Sequence, residues 1–185
     1  MGQTILFIDG ENFRFKSEKV IPDVVLANLD IKKLIDIVLK ETPPDKTNFY
    51  SAKLHEHAGT LKKSHGLIKL QRILKTKLEQ QDIEFIMAGN VRGQKVGSKI
   101  VFHEKGVDVR IAVDMVSMAF EKKLTTAILC SSDSDLQPAV YKLKDQGINV
   151  VYLGFESNPN KGLIYTCDRT ILIRNSELLL AYTPK

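Results

Sequence analysis

A continuous apolar run that ends abruptly in acid constrains the fold of this chain more than any other feature. Residues 5–8 are Ile, Leu, Phe and Ile, and residues 9–12 read Asp-Gly-Glu-Asn. A strand with no polar alternation is buried on both faces, as the strands of parallel sheets are. In open parallel sheets, ligands bind beyond the carboxyl ends of the strands. Asp9 is therefore predicted to lie where such a fold places its chemistry.

The remainder of the chain alternates short apolar runs with helical periodicity. We predict helices at residues 31–40, 61–80, 107–122 and 136–146 and further strands at 48–53, 83–87, 126–131 and 148–154. From residue 161 onward we predict a short helix, a strand near 170–174 and a last helix from Ser176. The stretch 12–28 is predicted to be a loop or short helical turns close to the end of the first strand, because Pro22 interrupts any long helix. This alternation predicts an α/β fold, a mostly parallel sheet with helices on both faces. The length suits a single domain spanning residues 1–185.

The charge balance is basic, with 27 lysines and arginines against 22 acids. That balance is compatible with a polyanionic partner. Residues 89–103 concentrate basic side chains among glycines and valines, and we predict a basic hairpin or an ordered loop there. No apolar run is long enough to span a bilayer, and no basic region followed by an apolar core opens the sequence. We therefore expect a cytoplasmic protein with no membrane partner.

Further acids follow the pattern set by Asp9. Asp133 comes directly after the predicted strand 126–131. Asp135 lies within a capping-box pattern, so it is either a first-turn acid or a site residue. Asp108 falls on the apolar stripe of the predicted helix 107–122, where an unpaired carboxylate is costly. Asp114 lies four residues after Arg110, a spacing typical of a surface ion pair.

Acids from three segments, Asp9, Asp108 and Asp133, are predicted to converge on one rim. Such a cluster repels itself unless a divalent cation neutralises it. Oxygen ligands suit hard cations, so Mg²⁺ or Mn²⁺ is the expected cofactor. The four histidines show no paired-ligand spacing, which disfavours zinc.

Three motifs, ILFIDGEN, KGVDVRIAVDM and SSDSDL, occur in this order, and with them the chain resembles the NYN domain. The NYN domain belongs to the PIN-like nuclease group that includes the LabA/DUF88 proteins. The resemblance runs from about residue 4 to residue 173 and implies a Rossmann-like sheet, an acidic metal site and metal-dependent RNA cleavage. The site residues that it implies are Asp9, Asn12, Asp108, Asp114, Asp133 and Asp135.

On this reading Asp9, Asp108 and Asp133 hold the metal, Asn12 hydrogen-bonds a water or a phosphate oxygen, and Asp135 orients or deprotonates the nucleophile. The expected function is a metal-dependent endoribonuclease that hydrolyses RNA phosphodiester bonds. RNA is the expected partner, and a homo-oligomer is allowed but not indicated. The residues expected to bind the RNA backbone are Arg92, Lys95, Lys99 and Lys105.

Two other classes of function stay open. A non-catalytic RNA-binding or adaptor module would keep the acidic pocket without cleaving. A phosphatase could use Asp9 as a nucleophile. The haloacid-dehalogenase pattern, however, requires a second aspartate two residues later, and that position is Glu11. A nucleotide-binding fold is disfavoured, because no glycine-rich phosphate loop follows any predicted strand.

Overall fold

The computed structural model describes residues 2–56, 61–96 and 99–183, and for residues 63, 92–96 and 99–104 it describes the backbone alone. The described residues form one seven-stranded sheet with the strand order β4-β3-β2-β1-β5-β6-β7. Six strands run parallel, and β4 pairs antiparallel with β3 at one edge. The strands are β1 (Gln3–Asp9), β2 (Lys46–Lys53), β3 (Ile83–Val96), β4 (Lys99–Lys105), β5 (Leu124–Cys130), β6 (Asn149–Phe155) and β7 (Arg169–Ile173).

Helices cover both faces of the sheet, as the sequence predicts. Along β1, Leu6 and Ile8 enter one core cluster while Ile5 and Phe7 enter the other. The first cluster includes buried residues of α2 and α7, and the second includes buried residues of α4, α5 and α6. The helices are α1 (Gly10–Glu18), α2 (Ile31–Val38), α3 (Leu61–Glu79), α4 (Val107–Phe120), α5 (Gln137–Asp145), α6 (Lys161–Thr166) and α7 (Asn175–Ala181).

The prediction of loop or short helical turns over residues 12–28 is wrong for residues 12–18, because these belong to α1, which begins at Gly10 directly after β1. The side chain of Asp9 accepts a hydrogen bond from the backbone amide of Asn12 at 3.0 Å and so caps the helix. Phe13 anchors the helix edge-to-face on Phe155, with 5.5 Å between the ring centroids. Pro22 lies beyond the end of the helix, where it interrupts nothing.

The basic hairpin is confirmed, and its first strand is longer than predicted. β3 continues past Met87 to Val96, and residues 90–96 pair antiparallel with β4. Gly89 lies where the register of β3 with β2 shifts, just before Asn90 pairs with both Lys53 and Lys105, and it has a positive φ of 69°. A Cβ at this position would collide with the backbone of Lys105, so the close approach of the two strands requires glycine.

The chain order creates a switch point between β1 and β5. From β1 the chain builds outward through β2 and β3, and it then returns to the other side of β1 to form β5. Neighbouring connections therefore diverge at the carboxyl ends of β1 and β5, which is where doubly wound sheets open a crevice. Ile8 pairs with Cys130, so Asp9 and Ser131 leave the sheet side by side.

Candidate active site

A shared hydroxyl joins two of the predicted acids at this switch point. Ser131 Oγ donates a hydrogen bond to Asp9 Oδ2 at 3.2 Å, and the same oxygen accepts from the backbone amide of Asp133 at 3.1 Å. Asp9 and Ser131 are buried, and Asp133 is half-buried. The structure thus brings Asp9 and Asp133 together around one serine, at the carboxyl ends of two adjacent strands.

Burial raises the pKa of Asp9 above its ordinary value. Hydrogen bonds from the amide of Asn12 and the hydroxyl of Ser131 lower that pKa, while the charges of Asp133 and Glu11 raise it again. The net effect is a raised pKa, so ionising the Asp9 carboxyl in the folded protein costs more free energy than ionising it in water. A cation placed between Asp9 and Asp133 would offset both the burial and the repulsion.

The neighbouring polar residues have separate roles. The amide of Asp135 donates to Asp133 Oδ1 at 2.9 Å, which fixes the Asp133 carboxylate, whereas the side chain of Asp135 is exposed. Asn12 contributes its backbone amide to Asp9, and its side chain is half-buried beside the rim. Glu11 forms an exposed ion pair with Arg14 at 2.7 Å, which accounts for its place in the motif without a catalytic role.

Asp108 occupies the first turn of α4, which follows β4 through a sharp turn at Gly106. Gly106 has a φ of 91°, a left-handed conformation that favours glycine, and this explains the glycine of the KGVD motif. Asp108 is half-buried, and α4 packs against the single helical turn at residues 134–136 that follows Asp133. No hydrogen bond or ion pair joins the Asp108 carboxylate to another residue in the described part of the chain.

Asp114 is held by two neighbours. Arg110 Nε donates to Asp114 Oδ1 at 2.8 Å, so the predicted ion pair is confirmed. The hydroxyl of the buried Tyr50 on β2 donates to Asp114 Oδ2 at 3.1 Å, and the Asp114 side chain is only 15% exposed. The prediction of a surface pair is therefore wrong for Asp114, because this side of α4 faces β2. Burial, and then the charge of Asp114, raises the pKa of Tyr50.

The family model of the NYN domain matches residues 3–174 of the chain. The chain belongs to the NYN domain family. Membership places it in the PIN-like nuclease superfamily and indicates a nuclease-like, RNA-related function. The LabA/DUF88 subtype stays a prediction.

A crystal structure of a protein of unknown function from Vibrio parahaemolyticus resembles this NYN domain with a TM-score of 0.64. The two sequences are 18% identical, and the alignment covers 93% of each chain. At this identity the likeness shows the shared fold alone. No curated protein matches the chain. Among the described residues, no helix has the length and apolarity needed to cross a bilayer.

The predicted RNA-binding residues of the NYN domain lie on the β3–β4 hairpin and its exit. Lys105 ends β4 opposite Asn90 and is exposed. Arg92, Lys95 and Lys99 occupy hairpin positions, and their side chains lie outside the described part of the structure. Their contribution to RNA binding stays a prediction.

Sequence reasoning missed the residues that frame this site in the NYN domain. Lys16 on α1 is buried, and its ammonium donates to the carbonyl of Asn158 at 2.7 Å. Asn160, two residues further along, donates through Nδ2 to the carbonyl of Ser132 at 2.8 Å. The loop at residues 156–160 therefore ties α1 to the segment that carries Asp133. A lysine one turn after the buried Phe13 on the same helix face was the one available signal for Lys16.

The donor chemistry of the Asp9–Asp133 pair fits a hard divalent cation. Both groups are carboxylates, they lie on either side of Ser131, and the Asp9 pKa is raised partly by the charge of Asp133. Within the described ranges, no group of three or more histidine, cysteine, aspartate or glutamate side chains is arranged to hold a metal. The pair would thus supply two protein ligands, and Asp108 as a third stays a prediction.

Proposed function

We propose that this NYN domain is a metal-dependent endoribonuclease that hydrolyses RNA phosphodiester bonds. The observation that carries the proposal is the pairing of Asp9 and Asp133 through Ser131 at the switch point of the sheet. A buried carboxylate with a raised pKa beside a second carboxylate, in the crevice of a parallel sheet, is typical of a functional site. Membership of a family with nuclease-like function supports the same reading.

Asp9 and Asp133 would hold Mg²⁺ or Mn²⁺, with Asp108 approaching from the first turn of α4. When bound, such a cation lowers the pKa of a water and offsets the charge that grows on the scissile phosphate. The chain's contribution is rigidity. Asp9 is fixed by the Asn12 amide and the Ser131 hydroxyl, and Asp133 is fixed by the Asp135 amide, so little reorganisation is needed when the ion arrives.

Other residues would position the RNA. The side chain of Asn12 is half-buried one turn into α1 and would donate to a phosphate oxygen. Asp135 is exposed beside Asp133, where it would accept a proton from the attacking nucleophile. Lys105 and the basic positions Arg92, Lys95 and Lys99 of the hairpin would bind the phosphate backbone, with an affinity that falls as salt rises.

Cleavage of single-stranded and structured RNA in Mg²⁺ or Mn²⁺ tests the proposal. Asp9→Asn and Asp133→Asn should each reduce the rate by about 100-fold or more, because even groups that only orient metal ligands are worth ~10–100-fold. Asp145→Asn, at the exposed end of α5, is the matched control and should leave the rate unchanged. Equal cleavage rates for the wild type and the three variants would show that Asp9 and Asp133 are not the catalytic residues.

The same experiment separates the alternative of a non-catalytic RNA-binding module. Such a module would retain RNA at low salt, would show no metal-dependent cleavage, and would be indifferent to Asp9→Asn and Asp133→Asn beyond their effect on stability. Binding measured by fluorescence anisotropy beside the cleavage assay distinguishes the two.

A further inference from the structure

Helix α3 exposes far more apolar surface than a helix on the outside of a domain requires. Leu61, Leu67, Leu70 and Ile73 are between 41% and 48% exposed. Single exposed leucines are normal on protein surfaces, but Leu67, Leu70 and Ile73 fall within about 120° of one another around the helix and form one patch.

The apolar positions of α3 extend around more than half of its circumference. At 3.6 residues per turn they run from Ile73 through Leu70 and Leu67 to Ile68, an arc of roughly 220°. A helix packed on one sheet needs an apolar stripe of roughly 100°. Leu78 is buried in the core and Leu74 packs against it, so these residues supply the stripe that the sheet covers. Leu67 falls on the line of that stripe, whereas Leu70 and Ile73 lie to one side of it, belong to neither core cluster of the described residues, and form a second, exposed face.

The second face contains a groove. It is lined by Lys62, Gly66, Leu67, Lys69, Leu70 and Ile73. Gly66 borders open space, because a Cβ at this position would meet no atom of the described residues within 4 Å. Glycine is a poor choice for the interior of a helix. Here it removes a side chain between Lys62 and Leu70 and leaves a hole of the kind that receives a knob from a facing helix.

The charges around the groove select the partner. The α3 sequence contains six lysines and arginines and one acid, Glu79. Among the described residues Lys62 and Lys69 have no ion-pair partner, whereas Lys75 pairs with Glu79 at 3.7 Å. A second copy of this chain would bring two basic faces together, and like charges in contact are unfavourable. The gap at Gly66 beside exposed apolar side chains suits an inserted side chain, while phosphate contacts would leave the leucines exposed to water.

We propose that the α3 groove is a docking site for an amphipathic, acidic helix of a partner protein. The partner helix would insert one large apolar side chain over Gly66, pack apolar neighbours on Leu67, Leu70 and Ile73, and pair its acids with Lys62 and Lys69. This proposal does not depend on RNA cleavage, and its failure would leave the endoribonuclease proposal untouched.

Two synthetic helical peptides serve as probes. Each has 19 residues, the length of α3, with leucines at helical spacing, and one carries glutamates on the flanks where the other carries lysines. By fluorescence anisotropy with the full chain, the acidic peptide should bind with a Kd on the order of 10 μM, about tenfold tighter than the basic peptide. Its affinity should fall as salt rises. Equal affinity for the two peptides would overturn the proposal.

Gly66→Leu is the decisive variant. It fills the groove where space is open, and leucine is a far better helix former than glycine, so the midpoint of thermal unfolding should rise. Affinity for the acidic peptide should drop by about tenfold although the protein is more stable. Leu70→Glu should weaken binding by a similar factor. Leu180→Glu, on the exposed side of α7, is the matched control and should bind like the wild type.

Three results would assign the groove to another occupant and overturn the proposal. The first is binding to phosphatidylserine vesicles that Gly66→Leu abolishes while peptide binding is absent. The second is a dimer in analytical ultracentrifugation that Gly66→Leu dissociates. The third is loss of RNA binding in Gly66→Leu with unchanged peptide binding.

Discussion

Ser131 Oγ lies 3.2 Å from Oδ2 of Asp9, to which it donates a hydrogen bond inside the buried end of the sheet. The same oxygen accepts from the amide of Asp133 at 3.1 Å. One hydroxyl therefore links the Asp9 carboxylate to the backbone of Asp133 beyond the carboxyl ends of β1 and β5.

Ser131→Ala should reduce metal-dependent RNA cleavage by about tenfold, an effect of the size expected when a group that orients metal ligands is lost. The unfolding free energy should fall by about 1 kcal/mol, since a buried hydrogen bond disappears. Ser131→Thr keeps the hydroxyl and should recover the cleavage rate. If alanine and threonine are equally active, the hydroxyl has no positioning role.

The pH dependence of the unfolding free energy is expected to reflect the ionisation of the buried Asp9 carboxylate. Burial raises the pKa of Asp9 above 3.8, so the folded state keeps the proton to higher pH than the unfolded state. The contribution of Asp9 to the unfolding free energy consequently falls as pH rises from the pKa of Asp9 in the unfolded state to its raised pKa in the folded state. Asp9→Asn does not ionise and still caps α1, so it should be more stable than the wild type at neutral pH. The difference should vanish as pH falls below 3.8.

Thermal unfolding in the presence of the ion extends that measurement. Mg²⁺ or Mn²⁺ should raise the unfolding midpoint of the wild type at neutral pH, because a ligand of the folded state alone stabilises it. Asp9→Asn and Asp133→Asn should respond much less. An equal response of all three proteins would place cation binding elsewhere.

Asp114 is expected to hold α4 rather than to take part in chemistry. Asp114→Asn and Tyr50→Phe should each lower the unfolding free energy by about 1 kcal/mol, the worth of one hydrogen bond. Cleavage by both variants should stay within about tenfold of the wild type, far above Asp133→Asn. If Asp114→Asn reduced the cleavage rate as much as Asp133→Asn does, Asp114 would be a catalytic residue.

Lys16→Met should loosen the loop at residues 156–160 because it keeps the apolar stem and removes the donor to Asn158. Hydrogen exchange of the amides in that loop should accelerate by about tenfold, in line with the loss of a hydrogen bond from a charged group. Lys19→Met, where the ammonium lies over the ring of Phe15, is the control and should leave the loop unchanged. Unchanged exchange in both would show that Asn160 alone holds the loop.

The alternation of strands and helices was predictable because parallel strands and amphipathic helices have local sequence patterns. The positions of Asp9 and Asp133 followed from the same patterns, since each acid comes at the end of an apolar run. The sequence predicted only a loop or short helical turns after Asn12, because the residues there are largely polar, whereas Asp9 itself caps a helix of 9 residues. The cap and the candidate ligand are the same residue, and the sequence pattern alone does not separate the two roles.

Contacts across the fold could not be predicted in this way. A helical wheel places Asp114 on the polar side of α4, but it contains no information about Tyr50, which reaches Asp114 from β2. The role of Ser131 depends on the register of β1 with β5, which sets Ile8 opposite Cys130. The contact between Lys16 and Asn158 joins residues 142 positions apart in the chain.

The double use of Asp9 has a spectroscopic consequence. Its Oδ1 accepts the amide proton of Asn12, so an ion that draws electron density from this carboxylate weakens the first hydrogen bond of α1. The nitrogen and proton shifts of the Asn12 amide would then follow occupancy of the site in a ¹⁵N-edited titration. That signal requires neither RNA nor turnover, and it would register binding in a variant that has lost its activity.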